Sequence, residues 1–262
     1  MHIKKRYGII VGSFAACLLL AGGGTLGLWL VNKAHSKLAA FDQKLNTVIH
    51  NTAYEHDHRY ARMFVMRSQL EEIASDYVAI VGDSITEATS RRSACNRPLF
   101  NAGVAGATVA AINRDTLPLL QRHPPLAMLL AIGVNDAKRA STKTAPERLA
   151  EFELDYRALL STAKAITTHV GVATIAPVEK GKILGDTSFD SGLIQQFNTI
   201  IRHVAGDMSI AVTELADLAD EQGLAREGST SDGVHLAPQA YRQWWAAMER
   251  GWSTIIKDCR AS

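Results

Sequence analysis

Cysteine is scarce in this chain: Cys17, Cys95 and Cys259 are its only three, and no two stand at the short paired spacing a thiolate zinc site requires. Metal–thiolate chemistry is thereby set aside. A dense basic stripe is also missing. Lys and Arg number 28 against 26 Asp and Glu, a formal net charge of +2, so the electrostatic footprint of a nucleic-acid binder is absent. There is no internal repeat, and no low-complexity tract beyond Gly22–Gly24. What is present is 47% hydrophobic and 21% charged residues over 262 positions, the balance of a globular protein with one sizeable core and an appendage.

The appendage is N-terminal. Between Arg6 and Lys33 there is no charged side chain. As a helix, Tyr7 to Val31 would extend about 38 Å at about 1.5 Å per residue, enough to cross a hydrocarbon core of about 30 Å with tilt. An uncleaved transmembrane anchor is therefore expected. The alternative is secretion after signal cleavage, but the apolar run continues through "LGLWLV", beyond the roughly 7–15 residues of a signal-peptide core. A lipoprotein site at Cys17 fits less well, because hydrophobic sequence rather than a polar spacer follows it. Lys4, Lys5 and Arg6 precede the span while Lys33 and Lys37 follow it. This bias favours a cytoplasmic N-terminus and a single-pass protein with its remainder outside the cytoplasm, in the periplasm if bacterial.

From Asn32 to Ser75 neither proline nor glycine occurs, and two stripes step at helical spacing: Leu38, Phe41, Leu45, Val48, then Met63, Met66, Leu70, Ile73. Each is shorter than a self-standing coiled coil needs. The reading is a helical stalk that either packs on the following domain or self-associates with a second chain. Within it, "HNTAYEHDH" puts His50, Tyr54 and His58 on one helix face with His56 and Asp57 nearby. A solvated polar face accounts for these residues without a metal. The expected organisation is a membrane anchor over 1–32, a stalk over 33–75 and a folded domain over 76–262.

Beyond Asp76 short apolar runs alternate with helical segments. "YVAIVG", "PLFNAG", "LAMLLAIG", "HVGVATIA" and "SIAVTEL" read as strands; Val109–Gln121, Pro146–Ala165, Asp190–Ala205 and Pro238–Ile256 read as helices. Continuous apolar strands separated by helices imply a parallel sheet covered on both faces. The fold class is thus α/β, a three-layer α/β/α domain around about five strands. Pro238 suits a first helical turn, where its missing N–H is no loss.

Open parallel sheets bind ligands beyond the carboxyl ends of their strands, and four polar clusters fall there. "GDSIT" follows the first strand, "NAGVAGAT" the second, "AIGVNDA" the third, and "SDGVHL" lies in the loop after the last. A serine hydroxyl needs a base to become a nucleophile, and a histidine base needs an acceptor to orient its other nitrogen. Ser84, His235 and Asp232 can supply these parts, the last two within one turn. Donors for a developing oxyanion are the N–H of Ser84, the N–H of Gly106 and the side-chain amide of Asn135. Each cluster alone has a plainer reading: a turn at Asp83–Ser84, a turn and helix cap at Asn135–Asp136, a surface histidine at His235.

Taken together the four blocks resemble the SGNH hydrolases, also called GDSL esterases and lipases. "GDSI" aligns Ser84, "NAGVAG" Gly106, "GVND" Asn135, and "DGVH" Asp232 and His235; the one departure is Ile85 where the four-letter name has leucine. The likeness runs from Asp76 to the C-terminus. It implies a flavodoxin-like sheet and a serine hydrolase mechanism without metal or cofactor, acting on small-molecule, glycan or lipid esters, with water or a second acyl acceptor completing the reaction. A G-x-S-x-G elbow is absent around Ser84, unlike a classical α/β-hydrolase. A membrane-anchored binding or scaffold module that keeps this fold without turnover is the alternative. The polar segment "APVEKGKILGDTSFDSG" is expected to border the pocket with Glu179 and Lys180 as solvated loop charges. In an oxidising compartment a Cys95–Cys259 disulfide is an open pairing.

Overall fold

The computed structural model describes residues 29, 33, 34, 36–38 and 57–259, and the chain divides into two compact units, residues 1–57 and 58–262. Most of the apolar run expected as an anchor, Cys17, and Phe41, Leu45 and Val48 of the first stripe lie outside the described residues, as do His50, Tyr54 and His56. Among the described residues no helix is long and apolar enough to cross a membrane, and no group of three or more His, Cys, Asp or Glu is placed to hold a metal ion. In the first unit the Lys33 ammonium sits 4.5 Å from the Trp29 ring centroid.

The second unit is built on one sheet. Its strands are β1 (Val78–Gly82), β2 (Ser93–Ala94), β3 (Arg97–Gly103), β4 (Ala127–Ala131), β5 (Val170–Ala173) and β6 (Ala211–Thr213), ordered β2-β3-β1-β4-β5-β6. The five strands expected from the apolar runs are mutually parallel, and the order β3-β1-β4-β5-β6 is the flavodoxin-like one. The sixth strand departs from that expectation. Ser93–Ala94 pairs antiparallel with Arg97–Pro98 across a tight turn in which Cys95 and Asn96 have φ of 52° and 57°. Positive φ at both central residues is the two-residue hairpin geometry whose twist matches the strands it joins. A strand of two residues made by its turn has no apolar run to announce it.

The helices are α1 (residues 58–72), α2 (Ser84–Glu87), α3 (residues 109–122, with a π turn at Ile112–Thr116), α4 (Ala145–Ile166), α5 (Gly185–Ser188), α6 (Ser191–Asp207) and α7 (Pro238–Ile255). Side chains alternate across β1, so Ala79 and Val81 join one apolar cluster and Val78 and Ile80 the other. The first cluster is closed by α1, α3, α4 and α6, the second chiefly by α7 with Trp244, Trp245, Met248 and Trp252. Both faces are therefore dry, which is why every residue of β1 is buried. The second stalk stripe packs here: Met66 and Leu70 are buried in the first cluster, with Met63 and Ile73 against it. Proline stands in the first turn of α7 and of α4, and Thr144 with Glu147 forms a reciprocal cap on α4.

Cys95 and Cys259 are joined in a disulfide across 164 residues of sequence. It ties the hairpin after α2 to the end of the chain beyond α7. Closing a loop of that size restricts the unfolded chain and contributes about 2–5 kcal/mol to stability.

Candidate active site

Three strands end level: Gly82 of β1 pairs with Gly103 of β3 and with Ala131 of β4. The loops that leave them start from one rim of the sheet, and the chain reverses direction across the sheet between β1 and β4. That is where open α/β sheets form their crevice. Asp83 and Ser84 follow β1 at once, the Val104–Ala107 turn follows β3, and Asn135 follows β4.

Ser84 is the first residue of α2, with Asp83 as its cap. The buried Asp83 carboxylate accepts the Ile85 N–H at 3.0 Å. Burial pushes the Asp83 carboxyl up to about 6; the Ile85 amide and the charge of His235 pull against that rise. As the first residue of a helix, Ser84 has no intrahelical acceptor for its N–H. The Tyr241 hydroxyl of α7 donates to the Ile85 carbonyl, pinning α2 to α7.

The loop after β6 brings in the remaining two groups. His235 Nε2 lies 2.9 Å from Ser84 Oγ, and His235 Nδ1 lies 2.6 Å from Asp232 Oδ2. The other carboxylate oxygen of Asp232 accepts the N–H groups of Val234 at 3.1 Å and His235 at 2.9 Å. One side chain thus folds the turn and orients the ring. Burial raises the Asp232 carboxyl, but the hydrogen bonds from the His235 ring, its amide and the Val234 amide outweigh this, and the group is held below the usual carboxylate range. Gly233 is required between them: its φ is 113°, and a Cβ there would lie 2.2 Å from the Gly185 nitrogen.

Two of the candidate oxyanion donors, Gly106 and Asn135, are tied together. Ala107 N–H donates to the Val104 carbonyl and Gly106 has φ of 73°, the third position of a type II turn. Asn135 Nδ2 donates to the Ala107 carbonyl at 3.0 Å, tying the loop after β4 to that turn. Asp136 carboxylate oxygens accept the Val109 N–H at 3.2 and 3.3 Å at the start of α3. Burial, with smaller contributions from Asp155 and Asp83, pushes its carboxyl up to about 7 against the opposing Val109 amide. Asp136 thus serves the start of a distant helix rather than capping its own turn, while Asn135 holds the turn that carries Gly106. A cavity of about 330 Å³ opens beside Asn135 and Thr108, walled by Phe152, Phe197, Arg148 and Ser141.

Glu179 departs from its expected setting. It is 3% exposed, not solvated, and its carboxylate accepts the Gly228 N–H at 2.8 Å, the Thr230 N–H at 2.9 Å and the Thr230 hydroxyl at 2.5 Å, with Lys182 Nζ at 3.2 Å. Its own N–H donates to the Gly233 carbonyl, and Leu184 N–H to the Asp232 carbonyl. The segment after β5 is therefore bolted to the turn that carries Asp232 and His235. Desolvation alone would raise the Glu179 carboxyl; the Thr230 hydroxyl, the two amides and Lys182 hold it down to about 2. A carboxyl lowered from its ordinary value of 4.5 stabilises the fold fully above that value and loses the contribution as pH falls toward about 2. Glu179→Ala should lower unfolding free energy by about 3 kcal/mol at pH 7. In denaturant titrations the gap to the parent chain should narrow steadily below the ordinary carboxylate range. A gap that does not change with pH would show that Glu179 acts by packing rather than by charge.

The GDSL-like Lipase/Acylhydrolase family matches residues 80–243. Among solved structures, a protein of Streptococcus pneumonia provisionally named a platelet activating factor superposes with a TM-score of 0.64 at 18% identity, over 79% of this chain and 98% of its own. A GDSL-like lipase from Bacteroides thetaiotaomicron gives 0.58 at 17% identity, over 74% and 98%. An acetyl xylan esterase gives 0.51 at 24% identity, over 69% and 100%. At these identities the likeness is one of fold. No curated protein matches the chain.

Proposed function

Since this chain belongs to the GDSL-like lipase/acylhydrolase family and is an ester-hydrolysing serine hydrolase, we propose that Ser84, His235 and Asp232 carry the reaction through an acyl-serine intermediate. The observation that supports this above any other is the unbroken line Ser84 Oγ–His235–Asp232, at 2.9 and 2.6 Å.

His235 Nε2 takes the hydroxyl proton as Ser84 Oγ bonds to the ester carbonyl carbon. Asp232 holds the proton of Nδ1 and stabilises the imidazolium. The carbonyl oxygen becomes an oxyanion that accepts hydrogen bonds from the Ser84 and Gly106 N–H groups and the Asn135 amide. Collapse breaks the bond to the alcohol, which leaves with the proton from His235. Water then gives its proton to His235 and attacks the acyl carbon; collapse expels Ser84 Oγ, which recovers that proton, and the acid is released. An alcohol in place of water makes the same cycle an acyl transfer.

The substrate class is an ester of a small molecule, glycan or lipid, met outside the cytoplasm by an enzyme anchored through residues 1–32. Two features support this placement: the charge-free run from Tyr7 to Val31, and the Cys95–Cys259 disulfide, a bond that persists in oxidising compartments. Full-length protein in detergent should be labelled stoichiometrically by a fluorophosphonate on Ser84, and Ser84→Ala should take up no label. Equal labelling of both would overturn the assignment of Ser84. No labelling of either would leave a binding module that keeps the fold.

A further inference from the structure

The brace behind the Gly106 turn is Glu87 of α2, backed by a helix that precedes the family-matched residues 80–243. Glu87, the last residue of the helix that starts with Ser84, accepts the Ala105 N–H with its carboxylate at 2.6 Å. Across from it, His58 Nε2 of α1 lies 2.9 Å from one carboxylate oxygen and 3.1 Å from the other. One turn further along α1, Arg62 donates to the Gly103 carbonyl at 2.9 Å and the Asn101 carbonyl at 2.6 Å. The Asn101 amide nitrogen in turn reaches the carbonyls of Thr86, Glu87 and Thr89, and its oxygen accepts the Gly103 N–H.

We propose that Glu87, held by His58 of α1, is a positioning residue that fixes the Ala105–Gly106 peptide so that the Gly106 N–H faces the oxyanion; this rests on the role given to Gly106 above. A four-residue turn such as Val104–Ala107 can take two arrangements, types I and II, which differ by a flip of the central peptide. That central peptide is Ala105–Gly106, and its flip carries the Gly106 N–H to the opposite side. Gly106 sits at φ of 73°, the type II arrangement. Glu87 grips the N–H of Ala105, one residue before the peptide that would flip, and it does so from the helix that carries the nucleophile. Nucleophile and donor are thus referenced to one rigid piece. The charge of the carboxylate makes this hydrogen bond about twice as strong as one between neutral groups.

In full-length protein with p-nitrophenyl acetate as the probe, Glu87→Ala should lower kcat by about 10- to 100-fold with KM unchanged, less than outright loss of a donor, which is on the order of 100- to 1000-fold. Glu87→Gln retains an acceptor oxygen for the Ala105 N–H and should recover kcat to within about threefold of the parent, since a neutral acceptor is weaker but present. His58→Ala should also lower kcat at constant KM, by less than Glu87→Ala. Full kcat in Glu87→Ala overturns the proposal. So does a loss that Gln does not relieve, or one in which KM rises with the fall in kcat. Should Glu87→Ala fail to fold, His58→Ala and Glu87→Gln decide by the same criteria. Ser84→Ala, run alongside, separates the two levels: activity surviving there removes the reading of the site itself, whereas activity lost there and kept in Glu87→Ala removes only the brace.

Discussion

Ser84→Ala, His235→Ala and the double variant should all hydrolyse p-nitrophenyl acetate at one residual rate, roughly 10⁶-fold below the parent kcat. The expectation follows from the arrangement of the pair. With His235 Nε2 at 2.9 Å from Ser84 Oγ, the ring has one function in the first step, to receive the proton that the hydroxyl must lose. Without the ring the hydroxyl is a weak nucleophile; without the hydroxyl the ring has no proton to take. Removing the second member of such a unit costs nothing further. What remains after either loss is the binding and oxyanion stabilisation by Gly106, Asn135 and the residue 84 N–H, worth on the order of 10³–10⁴ over water. Losses that multiply in the double variant would mean that the two residues act in separate steps. A His235→Ala chain that keeps a tenth of the parent rate would place the base elsewhere.

Most of the architecture was legible because both faces of the sheet are covered. Residues such as those of "VAIVG" and "AMLLA" must be apolar throughout, and glycines or polar residues appear where the strands stop at the rim. The same geometry made the candidate site legible: Ser84, Gly106 and Asn135 each follow a strand end that pairs level with the next, and Asp232 and His235 sit within one turn. What could not be read depends on contacts between distant segments. β2 exists through a turn with two positive φ values and through Cys95, whose partner is 164 residues away. Glu179 looks like any acid in a lysine-rich loop. Its burial is set by Gly228 and Thr230, 49 and 51 residues downstream, and no local pattern encodes that meeting. His58 stood in a polar cluster that suggested a helix face, and its pairing with Glu87 depends on how α1 lies against the first strand loops.

Asp232→Asn should lower kcat on the order of 10⁴-fold with little change in KM or in the thermal midpoint. The carboxylate is used on both sides: Oδ2 faces the ring nitrogen at 2.6 Å, while Oδ1 faces the amides of Val234 and His235. An asparagine has one oxygen for these two places. If its oxygen stays on the amides, its NH₂ meets Nδ1, which must then be an acceptor; the proton moves to Nε2, and Ser84 faces a donor that cannot take its hydrogen. If the oxygen turns to the ring, the NH₂ is pressed against two N–H groups and the turn itself is opposed. The first arrangement keeps the turn's hydrogen bonds and is the one the fold will select, so the chain should fold normally and turn over slowly. Acid should not produce the same defect in the parent chain until well below neutrality, because the hydrogen bonds that hold Asp232 below the ordinary carboxylate range keep it ionised there. In Asp232→Asn, raising pH should not bring back the parent rate, since the fault lies in which nitrogen holds the proton rather than in how many protons the ring carries. Nitrogen-15 chemical shifts of the neutral His235 ring would read the tautomer directly. A parent-like Nδ1–H in a slow variant would remove this account of what Asp232 does.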